Sequence, residues 1–335
     1  MKHANIALFI PHIGCPHRCS FCDQRSISGQ QAAPGPEEVT AACSQAVEQL
    51  GEAARQAEVA FFGGSFTAIP RDQMCSLLEA AAPFVRSGQL GGIRLSTRPD
   101  AIDEEILALL RKYGVTSIEL GAQSMDDRVL RQNRRGHTAE QVRSAARLIR
   151  RWGFGLGLQM MTGLPGDTLE GAWYTARELA ALHPREVRIY PAVVLRHTPM
   201  GELFLAGDYH PPGVEESVPL CAGLLRFFEG QGIRVIRLGL HASRSLEEEL
   251  LGGCYHPAFR ELCESQLLLE AAEEQIAAFG FSPGRLTLRV HPRDRSRMAG
   301  QHRANLADLS RRGYECVIIE DSSLVPGTVR VSEAG

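Results

Sequence analysis

No apolar run in this 335-residue chain approaches the roughly 20 residues that a membrane helix needs, so no membrane span is expected. The opening stretch, MKHANIALFIPHIG, is short and has no small-residue cleavage site, so it is not read as a signal peptide. There is no low-complexity tract and no copied repeat. Neither sign of charge dominates. The formal net charge is −3, which leaves only a local patch to attract nucleic acid or a membrane surface. What is present is an ordinary globular balance, 44% hydrophobic and 22% charged, sufficient to bury a core. Nine cysteines without a secretion signal predict a reducing, cytoplasmic compartment, where clustered thiols serve metal or redox chemistry. Six of the nine (Cys43, Cys75, Cys221, Cys254, Cys263 and Cys316) are scattered and read as small buried hydrophobes.

Short strand-like runs alternate with amphipathic stretches. NIALFIP (5–11), EVAFFGG (58–64), GIRLSTRPD (92–100), TSIELGAQS (116–124), GFGLGLQMMTGLPG (153–166) and EVRIYPAVV (186–194) are the runs. Helical patterns such as AIDEEILALLRKYG and TAEQVRSAARLIRRWG lie between them, acidic at the start, basic near the end and stopped by glycine. Six such alternations predict a parallel sheet with right-handed crossovers. Chemically capable residues cluster at the C-terminal ends of different runs, where barrel enzymes place their sites. The expected fold is therefore α/β, a partial (β/α)6 TIM-like barrel over residues 1–206. After it, GDYHPPGVEESVP (207–219) reads as a linker, and 207–335 as a smaller C-terminal α/β extension with a substrate-binding role.

GCPHRCSFCDQ places Cys15, Cys19 and Cys22 on a loop just after the first strand. Two readings fit three thiols: zinc completed by His12 or His17, or a 4Fe–4S cluster with one iron free of protein ligand. The pattern Cys-x3-Cys-x-Phe21-Cys resembles the signature of the radical S-adenosylmethionine (SAM) superfamily. That resemblance implies a 4Fe–4S cluster on these three cysteines and SAM on the open iron. It implies reductive cleavage to a 5′-deoxyadenosyl radical, which takes a hydrogen atom from the substrate. It also implies an electron donor such as flavodoxin or ferredoxin.

FFGGSFTAIP (61–70) closes the second strand where the family carries a Gly-Gly-Glu-like motif meeting the SAM amine. Gly63 and Gly64 permit close backbone approach. The third position is Ser65, which shifts that contact to the main chain, with Thr67 beside it. LSTRPD (95–100) gives Ser96, Thr97 and Asp100 a place near ribose or substrate, while Arg98 reads as a surface turn before Pro99. ELGAQSMDDRVLRQNRRGHT (119–138) resembles the radical-SAM half of the elongator catalytic subunit, which modifies tRNA wobble uridines. It is similar, less closely, to oxygen-independent coproporphyrinogen oxidase. The resemblance turns Gln123 toward SAM and gives Arg134 or Arg135 the methionine carboxylate, a bidentate task suited to guanidinium. Gln159 takes the place of an acid that meets the SAM ribose. Met160 and Met161 read as barrel filling, and Tyr190 as a candidate catalytic residue on the substrate face.

The elongator likeness covers about 5–209. No Arg/Gln-x-x-Gly-x-Gly/Ala loop follows to hold coenzyme A, so acetyl transfer is not expected. Residues 283–312 hold eight arginines and two aspartates. In this segment RMAGQHRANLADL has a Gly-x-x-basic turn opening a helix, loosely like the backbone-clamping loop of KH modules, with Arg303 where a KH loop has glycine. The basic segment 285–312 is thus the candidate contact for an RNA or tRNA substrate. Cys254, His256 and Cys263 were weighed as a second metal site, but their spacing fits none. The same chemistry on a small molecule, a tetrapyrrole or a metabolite, and a non-catalytic zinc or iron–sulfur RNA-binding module are the rival readings.

Overall fold

Each strand-like run becomes a parallel strand of one curled sheet. The computed structural model describes residues 4–11, 14–15, 19–24, 27 and 32–334. The strands are β1 (Asn5–Ile10), β2 (Glu58–Gly63), β3 (Gly92–Thr97), β4 (Val115–Gln123), β5 (Gly155–Thr162), β6 (Glu186–Pro191) and β8 (Arg234–Leu238), hydrogen-bonded in that order. The helices α1 (Pro36–Leu50), α2 (Arg71–Arg86), α3 (Glu104–Lys112), α4 (Asp127–Gln132), α5 (Ala139–Arg151) and α6 (Leu169–Ala180) supply the crossovers that parallel pairing requires. Their starts are chemically marked. The Asp103 carboxylate accepts from the Ile106 N–H at 2.8 Å ahead of α3, and Thr138 forms a capping box with Gln141 ahead of α5.

The sequence reading counted six barrel strands, and the structure adds a seventh. β8 comes from 233–241, a segment read from sequence as part of the extension, and pairs in parallel with β6. The crossover that brings it there includes β7 (Val193–Leu195), α7 (Pro199–Ala206) and α8 (Val214–Gly230). The stretch read as a linker is therefore half helix. Gly213 donates its N–H to the Glu216 carboxylate at 2.8 Å, capping α8, and Pro219 lies inside the helix. α9 (Arg244–Glu249) and β9 (Leu250–Gly253) follow, β9 pairing with β7 in a two-stranded antiparallel ribbon.

The curl of the sheet is visible in its side chains. In a flat sheet β3 and β6, three strands apart, would be about 14 Å from one another. Yet Arg94 of β3 reaches Glu186 of β6 at 2.7 Å, and also Glu58 of β2 at 2.7 Å and Glu119 of β4 at 2.9 Å. Arg188 of β6 pairs with both oxygens of Glu119, at 2.5 and 3.1 Å, and lies 4.8 Å over the Phe62 ring of β2. Arg234 of β8 pairs with Glu186 at 2.9 Å. Three carboxylates and the guanidinium groups of Arg94 and Arg188 thus line the inner face, mostly in the N-terminal half of the strands, with exposed Arg234 at its edge. Space for them comes from glycine: a Cβ on Gly157 would stand 2.7 Å from Glu119 Cγ. The outer face of the same strands is apolar, with Ile93, Leu95, Ile118, Leu120, Leu158 and Ile189 buried under the helices. Met160 belongs to that outer core and Met161 to the inner face, so only the second fills the barrel.

Beyond the barrel, α10 (Phe259–Phe279) leads to β10 (Gly284–Val290), α11 (Arg295–Ala299), α12 (Ala304–Arg311), β11 (Tyr314–Glu320) and β12 (Val329–Glu333). The three strands form a second sheet in the order β11-β10-β12, with β10 and β11 parallel and β12 antiparallel. α10 serves two cores. Phe259 and Cys263 pack into the barrel core, and Leu268, Leu269, Ala272 and Ile276 into the second. Cys254 and Cys263, weighed above as metal ligands, are buried core thiols whose pKa values burial raises. No helix among the described residues is long and apolar enough to cross a membrane.

Removing Arg94 would leave three buried carboxylates facing one another. Arg94→Ala is expected to destabilise the chain by about 3–5 kcal/mol, read by urea denaturation. Exposed Arg285→Ala, which breaks only the surface pair with Glu315, should change stability by less than about 1 kcal/mol.

Candidate active site

The C-terminal ends of the strands open above the charged floor, and the cysteine loop lies across them. Cys19 is buried, and Cys15 and Cys22 are half-buried. Pro16, His12 and His17 fall outside the described residues. The loop is anchored at several described points. Ser20 donates its N–H to the Asn133 carbonyl at 3.1 Å and its hydroxyl to Asn133 Oδ1 at 2.7 Å. The Asn133 amide in turn donates to the Val129 and Pro165 carbonyls, both at 2.9 Å. Met200, at the start of α7, donates its N–H to the Ser20 carbonyl at 2.8 Å. Gly14 closes the near side: a Cβ there would lie 2.3 Å from the Ser65 carbonyl oxygen.

The three sulfurs interact electrostatically. Burial raises the Cys15 and Cys22 thiols, Cys19 raises both further, and Arg135 opposes the shift at each. Arg98 opposes it at Cys15 as well. Two arginines therefore stand where thiolates would be stabilised. Among the described residues no group of three His, Cys, Asp or Glu side chains closes around a common point. The donor chemistry nonetheless fits an iron–sulfur cluster, with three thiols on one loop in a cationic setting, and the two arginines that oppose their raised pKa values each keep a buried N–H without an acceptor among the described residues. Those orphans are Nη1 of Arg98 and Nε of Arg135.

The sequence-predicted residues fall into three groups. Gly63 ends β2 at φ +100°, and Gln24 of the cysteine loop donates to its carbonyl at 2.8 Å. The Gly64 N–H donates to the Ile10 carbonyl at 2.7 Å, so this turn is tied both to β1 and to the loop. Ser65, Thr67 and Thr97 form a second group, a closed hydroxyl network. The Thr97 hydroxyl lies 2.9 Å from that of Ser65 and 2.6 Å from that of Thr67, and Thr67 donates onward to the Ala101 carbonyl at 2.6 Å. Ser96 is half-buried on the Arg94 side of β3.

The third group faces the lumen. A register shift in β4 between Gly121 and Gln123 puts Gln123 at φ +66°. Its amide oxygen accepts from Gln159 Nε2 at 3.4 Å. Arg135 is buried and bridges two regions: Nη1 donates to Cys19 Sγ at 3.1 Å and Nη2 to the Gly121 carbonyl at 2.6 Å. Arg134, its neighbour, is exposed and at φ +54°. Tyr190 is half-buried beside Arg188 and Arg237, and it packs on the cluster holding Cys19, Phe21 and Met161. Nε and Nη2 of Arg237 have no acceptor among the described residues.

Two residues were missed in the sequence. Arg98 is no surface turn. It is buried because the chain folds inward after β3, and it holds Asp100 through two bonds at 2.9 and 2.8 Å. Asn133 lies within the stretch 119–138 that carries the elongator likeness, but nothing local marks it as the clamp of a loop more than a hundred positions earlier.

The radical SAM superfamily profile matches residues 9–179, half of the chain. The chain belongs to the radical SAM superfamily. A radical SAM C-terminal domain profile matches residues 184–268. This radical SAM chain is 28% identical to a tRNA uridine(34) acetyltransferase of Methanocaldococcus jannaschii over 62% of its own length and 46% of that protein. It is 30% identical to human Elongator complex protein 3 over 53% of its length and 36% of that protein. It therefore spans less than half of either relative. It is also 23% identical to the heme chaperone HemW of Bacillus subtilis over 70% of its length and 63% of that protein. Among solved structures, the archaeal Methanocaldococcus infernus Elp3 superposes with a TM-score of 0.62 at 20% identity, covering 83% of this chain and 63% of that one. The partial barrel is thus shared. As a member of the superfamily, the chain is an enzyme whose cofactors are a 4Fe–4S cluster and SAM.

His137 offers a probe of this region that is independent of cofactors. It is buried with Nε2 at 3.2 Å from the Ala122 carbonyl, and burial, reinforced by Arg135, lowers its pKa from 6.5 to about 4. Folding therefore favours the neutral ring. That contribution is complete above about pH 6.5 and is lost as pH falls toward 4. His137→Gln should retain a donor to Ala122 and flatten the decline in thermal stability across that window relative to wild type. An unchanged slope would contradict the assignment.

Proposed function

We propose that the chain binds its cluster through Cys15, Cys19 and Cys22 and acts on a nucleoside in RNA. The single observation that carries the site assignment is Arg135. One buried side chain touches a candidate cluster ligand, Cys19, and the Gly121 carbonyl beside Gln123 and Gln159. When bound, the cluster supplies one electron for reductive cleavage of SAM, which enables hydrogen abstraction from the substrate. The electron comes from a one-electron donor of the flavodoxin or ferredoxin class.

The residues of the chain position and shield. Gly63 and Gly64 offer main chain to the methionine end, because the hydroxyls of Ser65, Thr67 and Thr97 are engaged with one another. Those hydroxyls hold the turn in shape. Arg135, rather than exposed Arg134, orients the carboxylate while steadying Cys19. Gln123 and Gln159 accept and donate to the ribose, and Ser96 lines the wall below. Tyr190, with Arg188 and Arg237, faces the substrate. The radical domain is placed in 1–206 and the substrate-binding role in 207–335, with β8 crossing from the second into the sheet of the first. RNA as substrate is supported by the two relatives named for tRNA uridine modification and for the elongator complex.

Anaerobically reconstituted protein should be brown, carry about four irons per chain and release 5′-deoxyadenosine from SAM with dithionite. Cys19→Ala should lose both properties. Arg135→Lys should retain iron but slow cleavage about tenfold, because a point charge cannot reproduce the guanidinium fork. A colourless zinc protein would refute the reading. For the substrate, deuterium from uridine-labelled tRNA should appear in 5′-deoxyadenosine. Label arriving only from a tetrapyrrole would replace RNA with a small molecule.

A further inference from the structure

The unit β10–α11–α12–β11 lies beyond both family matches, which end at residues 179 and 268. Its two short helices meet at Gly300-Gln301-His302-Arg303. This turn is sharply specified. Gly300 is at φ +78°, and a Cβ there would stand 2.7 Å from the Asn305 nitrogen. His302 and Arg303 then follow at φ +52° and +64°, two successive non-glycine residues in the left-handed region. Such strain persists only where surrounding structure imposes it, and it concentrates at functional sites. The imposing residue is Asn305. Its buried amide donates to the Ser265 carbonyl at 3.1 Å, the Ser265 hydroxyl at 3.0 Å and the Arg297 carbonyl at 3.2 Å, pinning the turn to α10.

The turn forms one wall of a groove of about 450 Å³. Arg295, Ala299, Arg303 and Leu306 line that side, and Cys316, Val317 and Ile318 of β11 the other. β11 is the edge of its sheet, so its outer backbone groups have no strand partner among the described residues. Cys316 and Ile318 share the face of Leu286 and Leu288 and border the groove with side chains, whereas Val317 turns to the opposite face. Charge is placed on the rim. Arg303 is exposed and forms no ion pair among the described residues, while Arg295 is held only by a 3.4 Å contact with Glu320. Arg297, by contrast, is engaged with Asp294 and Glu264, and Arg312 with Asp308 and Glu273. Two arginines with little or no ion pairing, Arg295 and Arg303, thus line the groove.

We propose that this groove binds single-stranded RNA, its backbone against the Gly300–Arg303 turn and its bases over Leu306 and Ile318 toward the β11 edge. Charge complementarity selects a polyanion. An apolar floor with an unpaired strand edge suits unstacked bases, which a duplex does not present. About four nucleotides would fill such a site. Arg303 occupies the place of the second glycine in a KH loop while keeping glycine's backbone conformation, adding a cation and a planar stacking surface. The proposal deepens the RNA reading but rests on different residues, so the two can fail separately.

Fluorescence anisotropy of the full chain with a labelled eight-nucleotide RNA, the same DNA and the RNA duplex tests it. Single-stranded RNA should bind tightest, with salt-dependent affinity. Arg303→Glu should weaken it about tenfold and flatten the log–log salt slope by about 0.7. Arg303→Gly removes the cation at a position where glycine is unstrained, so it should fold at least as well as wild type and still bind more weakly. Arg295→Glu should also weaken binding. The chain before cluster reconstitution should bind RNA as the reconstituted chain does, which separates failure of the groove from failure of the barrel chemistry. Wild-type affinity in both Arg303 variants overturns the proposal. So does a preference for duplex or DNA, or dimerisation through β11 that Val317→Asp abolishes in a chain binding no RNA.

Discussion

Arg94 holds the structure in the shape its chemistry needs. A guanidinium on β3 that pairs with carboxylates from β2, β4 and β6 can do so only if the sheet curls. In a curled sheet the inner face is too narrow for water to solvate three carboxylates separately, so charge balance and curvature require each other. Arg188 and Arg234 complete the balance. The consequence is a polar floor at the N-terminal end of the strands. The C-terminal ends are left open, which is the division of labour expected of barrel enzymes.

Above the floor, the working parts are held by long-range tethers. The described portion of the cysteine loop is fastened to residues far away in sequence. Asn133 holds Ser20, Gly63 accepts from Gln24, and Arg135 touches Cys19. Two of the tethers come from the segment that follows α4 and one from the end of β2. Disturbing any one should shift the candidate ligands relative to the Gln123–Gln159 pair. Gly121 matters for the same reason, since a side chain there would crowd both Arg135 and Gln123.

The second sheet is linked to the barrel by shared packing and not by a flexible tether. α10 buries its first turns in the barrel core and its later turns in the second core, so the two units are held in fixed relation. A groove mounted on such a helix can present a strand at a constant distance from the barrel mouth. That gives a physical reason for a binding unit to be built on α10.

Much of the architecture was legible in the sequence because its signals are local. Alternating runs, caps and glycine stops marked the strands and helices, and the Cys-x3-Cys-x2-Cys spacing pointed to a cluster with one open iron. Gly300 and the basic turn were legible for the same reason. The seventh strand was not, because pairing with β6 depends on a crossover whose start looked like a linker. Nor were the charged floor, the burial of Arg98 or the closed Ser65–Thr67–Thr97 network. The sequence alone therefore determined which chemistry is present and at which strand ends. Only the tertiary structure decided which of two adjacent arginines reaches Cys19, and which arginines of a basic segment remain free. Both are set by contacts between residues distant along the chain, and no local pattern encodes them.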